Sequence, residues 1–139
     1  ISARLEEAGL QENTFDVVYS NAVFEHLLSP SSVVTEVARV LRPGGIVYTK
    51  TVNWNSYTHE YMGDDWQLLG PRGHLSLFTA LTLPRFYTDA GLDVIAVQSN
   101  GVRLPRNHPF GKLKKSILSP MSRITKKGDR IIAIARKPL

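Results

Sequence analysis

Ser20 and Asn21 close an apolar run, FDVVY, and Ala22, Glu25 and His26 follow at once. Small polar residues at a strand end let a ligand come close to the backbone, and their side chains can hydrogen-bond an amino-acid moiety. The same pair also opens ordinary turns. Imidazole is the natural base near neutral pH, and Glu25 beside it can tune His26 or bind elsewhere. A histidine packed at a helix start, with Glu25 solvated, is the plainer alternative. His74 is a second imidazole, set in a segment (53–77) that is rich in Tyr, Trp, His and Gly and has no clean period. Trp54, Tyr57, Tyr61 and Trp66 of that segment can wall an acceptor or anchor the loop to the core. A structureless loop of this length leans toward function.

These residues need elements to hold them. Residues 15–19 are near-continuously apolar and β-branched, the pattern of a strand buried on both faces. Val33, Val34, Val37, Ala38 and Leu41 fall at helical spacing, with Ser31 or Ser32 as N-cap and Arg42-Pro43-Gly44-Gly45 as the stop. A second strand is predicted at 46–52, a short helix at 82–90 ending on Gly91, a third strand at 92–98 and a fourth at 130–136. Strands alternating with helices imply an α/β sheet with helices on its faces, and ligands in such sheets bind beyond the carboxyl ends of the strands. Ser20, Asn21 and the segment after Val52 lie at that edge.

Charge separates the chain into two parts. Residues 1–100 carry 6 Lys/Arg against 11 Asp/Glu, and residues 101–139 carry 11 against 1. The overall +5 therefore conceals a −5 body and a +10 C-terminal quarter. Within a basic insertion at about 101–128, Phe110, Leu113, Ile117, Leu118, Met121 and Ile124 fall near one helical face. Lys112, Lys114, Lys115, Arg123, Lys126 and Lys127 flank them, and Pro120 interrupts. Peripheral contact of 110–127 with an anionic membrane fits this pattern. Nucleic acid is not the expected partner, because no recognition motif accompanies the charge. An ordinary helix with a solvated basic face fits too. No cysteine is present, so disulfides and thiolate metal sites are excluded, and a reducing cytoplasm is compatible with that. No run reaches the roughly 20 apolar residues of a membrane span.

Taken together, FDVVYSNAVFEHLLSP, VARVLRPGGIVYTKTVN and HLSLFTALTLPRFYTDAGLDV resemble the second half of a class I S-adenosylmethionine-dependent methyltransferase. More narrowly they are similar to the group that includes the ubiquinone-type O-methyltransferases. The resemblance implies a partial Rossmann-like sheet. Residues 15–19, 46–52 and 92–98 would be its strands four to six, and 130–136 its antiparallel seventh. The first three strands and the glycine loop would be absent, so 1–139 is read as the C-terminal portion of one methyltransferase domain.

The resemblance further implies S-adenosylmethionine as cofactor, with Ser20, Asn21, Ala22 and Glu25 on its rim and His26 and His74 as catalytic residues toward a small-molecule acceptor. Some relatives hold a divalent metal with Glu-x-x-Glu-His; Ala22 stands in place of the first acid, and no metal is expected. A severed sheet would leave the edge at 15–19 open to self-association. The other class of reading is a non-catalytic basic binding or assembly module, unable to bind the cofactor.

Overall fold

The computed structural model describes residues 4–70, 73–104 and 111–139, with the backbone alone for 111–115. Phe110 and the side chains of Lys112, Leu113, Lys114 and Lys115 therefore lie outside the described residues. Four strands form one sheet: β1 (Phe15–Asn21), β2 (Leu41–Val52), β3 (Asp93–Asn100) and β4 (Arg130–Arg136), in the spatial order β1-β2-β4-β3. β1 and β2 are parallel, and β4 slots antiparallel between β2 and β3. This is the α/β sheet with an antiparallel last strand that the resemblance implies.

Helix α1 (Pro30–Val40) follows β1. It begins earlier than Ser31 or Ser32: Ser29 takes the N-cap position and Pro30 the first turn, where its fixed φ suits the helix and its missing N–H costs nothing. The Ser29 and Ser32 hydroxyls bond each other at 2.8 Å. The helix also stops sooner, at Val40, and β2 starts at Leu41 rather than at 46. Pro43 disfavours helical backbone at Arg42, and residues 42–45 bulge, the register jumping from Phe15↔Leu41 to Val17↔Ile46. Gly45 is required there, because a Cβ would lie 2.9 Å from the Arg42 carbonyl oxygen and 3.1 Å from that of Phe15.

The core sits on one face of the sheet. Val34 and Val37 of α1 and Leu83 and Tyr87 of α3 (Thr82–Asp89) pack over Val47, Ile131, Ala133 and Ala135. Leu83 is fully buried, and emptying its site by Leu83→Ala costs about 3 kcal/mol. The Tyr87 hydroxyl donates to Thr49 Oγ1 at 2.6 Å, and burial pushes its pKa up to about 12.

The opposite face differs from the expectation of a strand buried on both sides. Val17 and Tyr19 are 55% and 66% exposed, and Tyr19 stacks on Tyr48 at 5.2 Å. β1 is an edge strand with a single partner, so the apolar run has neither a second neighbour nor a covering layer among the described residues.

The segment 53–77 is less irregular than its composition suggests. It contains α2 (Tyr57–Met62) and two 3₁₀ turns, Gly63–Asp65 and Gln67–Leu69. Ser56 caps α2 by accepting from the His59 N–H at 3.0 Å. In the basic insertion, α4 (Gly111–Ile124) runs through Pro120 where an interruption was expected. Its turn is held locally by the Ser122 hydroxyl donating to the Ser119 carbonyl, and the Ser99 hydroxyl of β3 donates to the Ser122 carbonyl. Among the described residues no helix is long and apolar enough to cross a membrane.

Candidate functional site

β1 delivers Ser20, Asn21 and Ala22 to the carboxyl edge of the sheet. Alternation sends Ser20 to the core face and Asn21 to the open one. The Ser20 hydroxyl is buried and has no hydrogen-bond partner among the described residues. Ala22 turns the chain in the left-handed region (φ 55°), its N–H held by the Lys50 carbonyl at 2.9 Å. A non-glycine residue there carries strain of about 1 kcal/mol. The turn leads into a 3₁₀ helix, Phe24–His26, whose Phe24 is sunk in the core and whose His26 is exposed.

A cleft of about 450 Å³ opens at this point, lined by Val18, Ser20, Val23, His26, Leu28 and Val33 among others. Ser20 and His26 thus share one cavity wall. The His26 Nδ1–H donates to the Gly73 carbonyl at 2.7 Å, since a carbonyl can only accept. His74 lies edge-on to His26 with ring centroids 4.8 Å apart, and its own Nδ1 is buried without a partner among the described residues. Gly70 makes room for that ring; a Cβ there would meet it at 2.8 Å.

Glu25 has a different place from the cofactor rim expected of it. Its side chain is 1% exposed, accepts from Thr51 Oγ1 at 2.5 Å and faces Arg130 Nη1 at 3.5 Å. Its carbonyl also takes the N–H groups of Leu75 (2.7 Å) and Ser76 (3.2 Å). Glu25 therefore ties the turn after β1 to β2, to β4 and to the loop carrying His74. Thr51, Arg130 and Gly73 carried no signal in the sequence beyond position: Thr51 and Arg130 stand at the ends of β2 and β4, and Gly73 in the turn just before His74.

One ligand atom each from Glu25, His26 and His74 lie within 4.8 Å of one another. Both Glu25 oxygens already serve Thr51 and Arg130, and a metal ion would have to displace them. The trio fits a metal poorly and fits a buried acid anchoring a pair of rings well.

The four aromatics of the loop do not form one wall. Trp54 and the buried Trp66 flank His59, at centroid distances of 3.9 and 5.2 Å, while Tyr57 and Tyr61 turn toward α4. Below them, Asn53 is fully buried. Its side-chain amide donates to the carbonyls of Asn55, Lys126 and Gly128, which fixes the exit of β2 against the entry to β4. Asp129 is buried beside it, and its Oδ2 accepts the Arg103 N–H at 2.9 Å. Burial raises its pKa, opposed by the nearby Thr58 hydroxyl, the Arg103 N–H and the Ser56 hydroxyl.

Residues 3–97 match the methyltransferase domain family. The chain belongs to that family, the class I S-adenosylmethionine-dependent methyltransferases. Among curated proteins, the ubiquinone biosynthesis O-methyltransferase of Cupriavidus pinatubonensis is 32% identical over 66% of this chain and 39% of its own length. The enzyme of the same name from Methylococcus capsulatus is 33% identical over 68% of this chain and 42% of its own. The chain thus spans about two fifths of these relatives.

Among solved structures, a SAM-dependent methyltransferase of Thermotoga maritima superposes with a TM-score of 0.70 at 16% identity, over 97% of this chain and 61% of that one. The [4+2]-cyclase SpnF superposes at 0.65 and 18% identity, over 99% of this chain and 54% of its own. The shared fold is therefore no guide to the reaction, which the site must decide.

Proposed function

We propose that this chain is the C-terminal portion of a methyltransferase domain, with the basic insertion at about 101–128, and that it supplies the acceptor side and part of the cofactor rim for methyl transfer to a hydroxyl of a small molecule. The observation that carries this reading is the pairing of the unpartnered Ser20 hydroxyl with His26 on one cavity wall at the carboxyl end of β1.

S-adenosylmethionine, when bound, supplies a methyl group already activated by its sulfonium. The chain has to bind, align and manage one proton. Ser20 is an unsatisfied buried group and fits a polar atom of the cofactor, with Asn21 and the Ala22 turn beside it on the rim. His26 is held by Gly73 so that, in the neutral ring, Nε2 carries the free lone pair. It takes the acceptor hydroxyl proton at that atom as the oxygen forms its bond to carbon. His74 steadies the His26 ring by edge contact and fills the acceptor side. Alignment of this kind provides much of the rate in a displacement reaction. The likeness to ubiquinone biosynthesis O-methyltransferases supports a hydroxyl acceptor. The cysteine-free composition agrees with a cytoplasmic setting.

Labelled methyl transfer from S-adenosylmethionine to a panel of phenols, amines and carbon acids tests the reading, with His26→Ala compared. Transfer confined to hydroxyl acceptors and lost in the variant is expected. Transfer to amines or carbon alone, or transfer independent of His26, contradicts it. A complete lack of transfer favours the non-catalytic module.

That second reading has its own observation, the exposed Val17 and Tyr19 on an edge strand. An open edge templates pairing with another chain, so self-association through 15–19 is expected. A stable monomer by light scattering at 100 μM (about the range where weak pairing shows) counts against it.

A further inference from the structure

A second cavity lies away from the β1 cleft, between α2 and α4. It measures about 370 Å³ and is lined by Tyr57, Glu60, Tyr61, Leu104, Ile117 and Leu118. Its volume falls in the range of small-ligand sites, and among the described residues its lining is mainly apolar, with the Glu60 carboxylate and the two tyrosines as its polar members. Glu60 is not a free anion, because Lys127 pairs with it and also stands 5.4 Å over the Tyr57 ring.

Ile117 belongs to this cavity and to an external ridge as well. Ile117, Met121 and Ile124 fall at i, i+4 and i+7 on α4, and they are 54%, 42% and 83% exposed. Three large apolar residues in line on a helix that turns Ser122 inward are unlike scattered surface apolars. The exposed Arg123 and Lys126 stand beside the ridge, in the quarter of the chain that carries 11 Lys/Arg against a single acid, the buried Asp129. An apolar ridge in a field of one sign selects a partner that is apolar beneath an anionic surface.

We infer that α4 seats on an anionic lipid bilayer, with Ile117, Met121 and Ile124 entering the interface, Arg123 and Lys126 meeting headgroups, and the Tyr57–Tyr61–Leu104–Ile117–Leu118 cavity receiving one lipid chain. The inference is independent of the methyl-transfer reading, since it needs neither Ser20, His26 nor the cofactor.

Co-sedimentation of the whole chain with vesicles tests it. Binding to phosphatidylglycerol vesicles should exceed binding to phosphatidylcholine vesicles at least tenfold and fall as salt rises. Ile124→Asp, at a position too exposed to disturb the core, should weaken it about tenfold, and Arg123→Glu with Lys126→Glu should do the same. Val17→Asp, on the open sheet face, should leave it unchanged. A brominated lipid should quench the tyrosine emission of the wild type more than that of Ile117→Asp.

Equal binding to neutral vesicles overturns the inference. So does insensitivity to Ile124→Asp, or loss on Val17→Asp alone, which would make the sheet face the contact. Binding to a DNA oligonucleotide that matches the vesicle affinity and ignores Ile124→Asp would reassign the basic segment to nucleic acid.

Discussion

His26 donates its Nδ1 proton to the Gly73 carbonyl oxygen across 2.7 Å, and that bond joins residues 47 apart in sequence. It determines which nitrogen of the neutral ring can act as a base. Nitrogen-detected NMR of the imidazole is expected to show the Nδ1–H tautomer, with Nε2 as the unprotonated atom. The opposite tautomer would remove His26 from the base role. In a methyl-transfer assay His26→Ala should lower the rate by roughly 10²–10⁴ for a protonated hydroxyl acceptor.

Ser20 gives an opposed pair of effects. Its hydroxyl is buried without a partner, so Ser20→Ala should stabilise the free protein by about 1 kcal/mol. The same change should weaken binding of S-adenosylhomocysteine roughly five- to tenfold by calorimetry, if the hydroxyl finds its partner there. A variant that is destabilised and binds equally well would show that Ser20 only packs.

Glu25→Ala leaves Arg130 and Thr51 without their partner on the inside of the sheet edge. The expected loss is about 2–3 kcal/mol in urea denaturation, on the low side for a buried pair because Arg130 keeps some contact with water. Removing Arg130 as well should cost less than the sum of the two single changes.

Asp129 makes stability depend on pH in a direction opposite to an ordinary ion-paired acid. Its folded pKa is raised by burial, so ionisation opposes folding once the pH passes the unfolded value, about 3.9, and does so in full above the folded pKa. Acidifying from neutrality toward that window should relieve the penalty. Asp129→Asn should flatten this part of the profile while keeping an acceptor for the Arg103 N–H. A midpoint that falls with acidification equally in both proteins would contradict the assignment.

The four strands, helices α1 and α3 and the sheet edge that carries the candidate site were legible because each rests on local information. Alternate burial of Val47, Thr49 and Thr51 is one such case, and the valines of α1 are another. What could not be read depends on distance. The Glu25 carboxylate looks like a surface group beside His26, and only its neighbours at Thr51 and Arg130, which the fold brings in, turn it inward. α2 is too short to show a period and exists because Ser56 caps it. The burial expected of Val17 and Tyr19 failed because apolar residues imply a covering layer without saying which chain contributes it.

In the proposed function, the carboxyl end of β1 holds both the cofactor rim and the base. Titration of S-adenosylhomocysteine into the labelled chain, followed by amide and imidazole NMR, tests it most directly. Saturable shifts at Ser20, Asn21, Ala22 and the His26 ring are expected, at affinities of about 1 mM. Silence at these residues at saturating ligand, or shifts centred elsewhere, would contradict it.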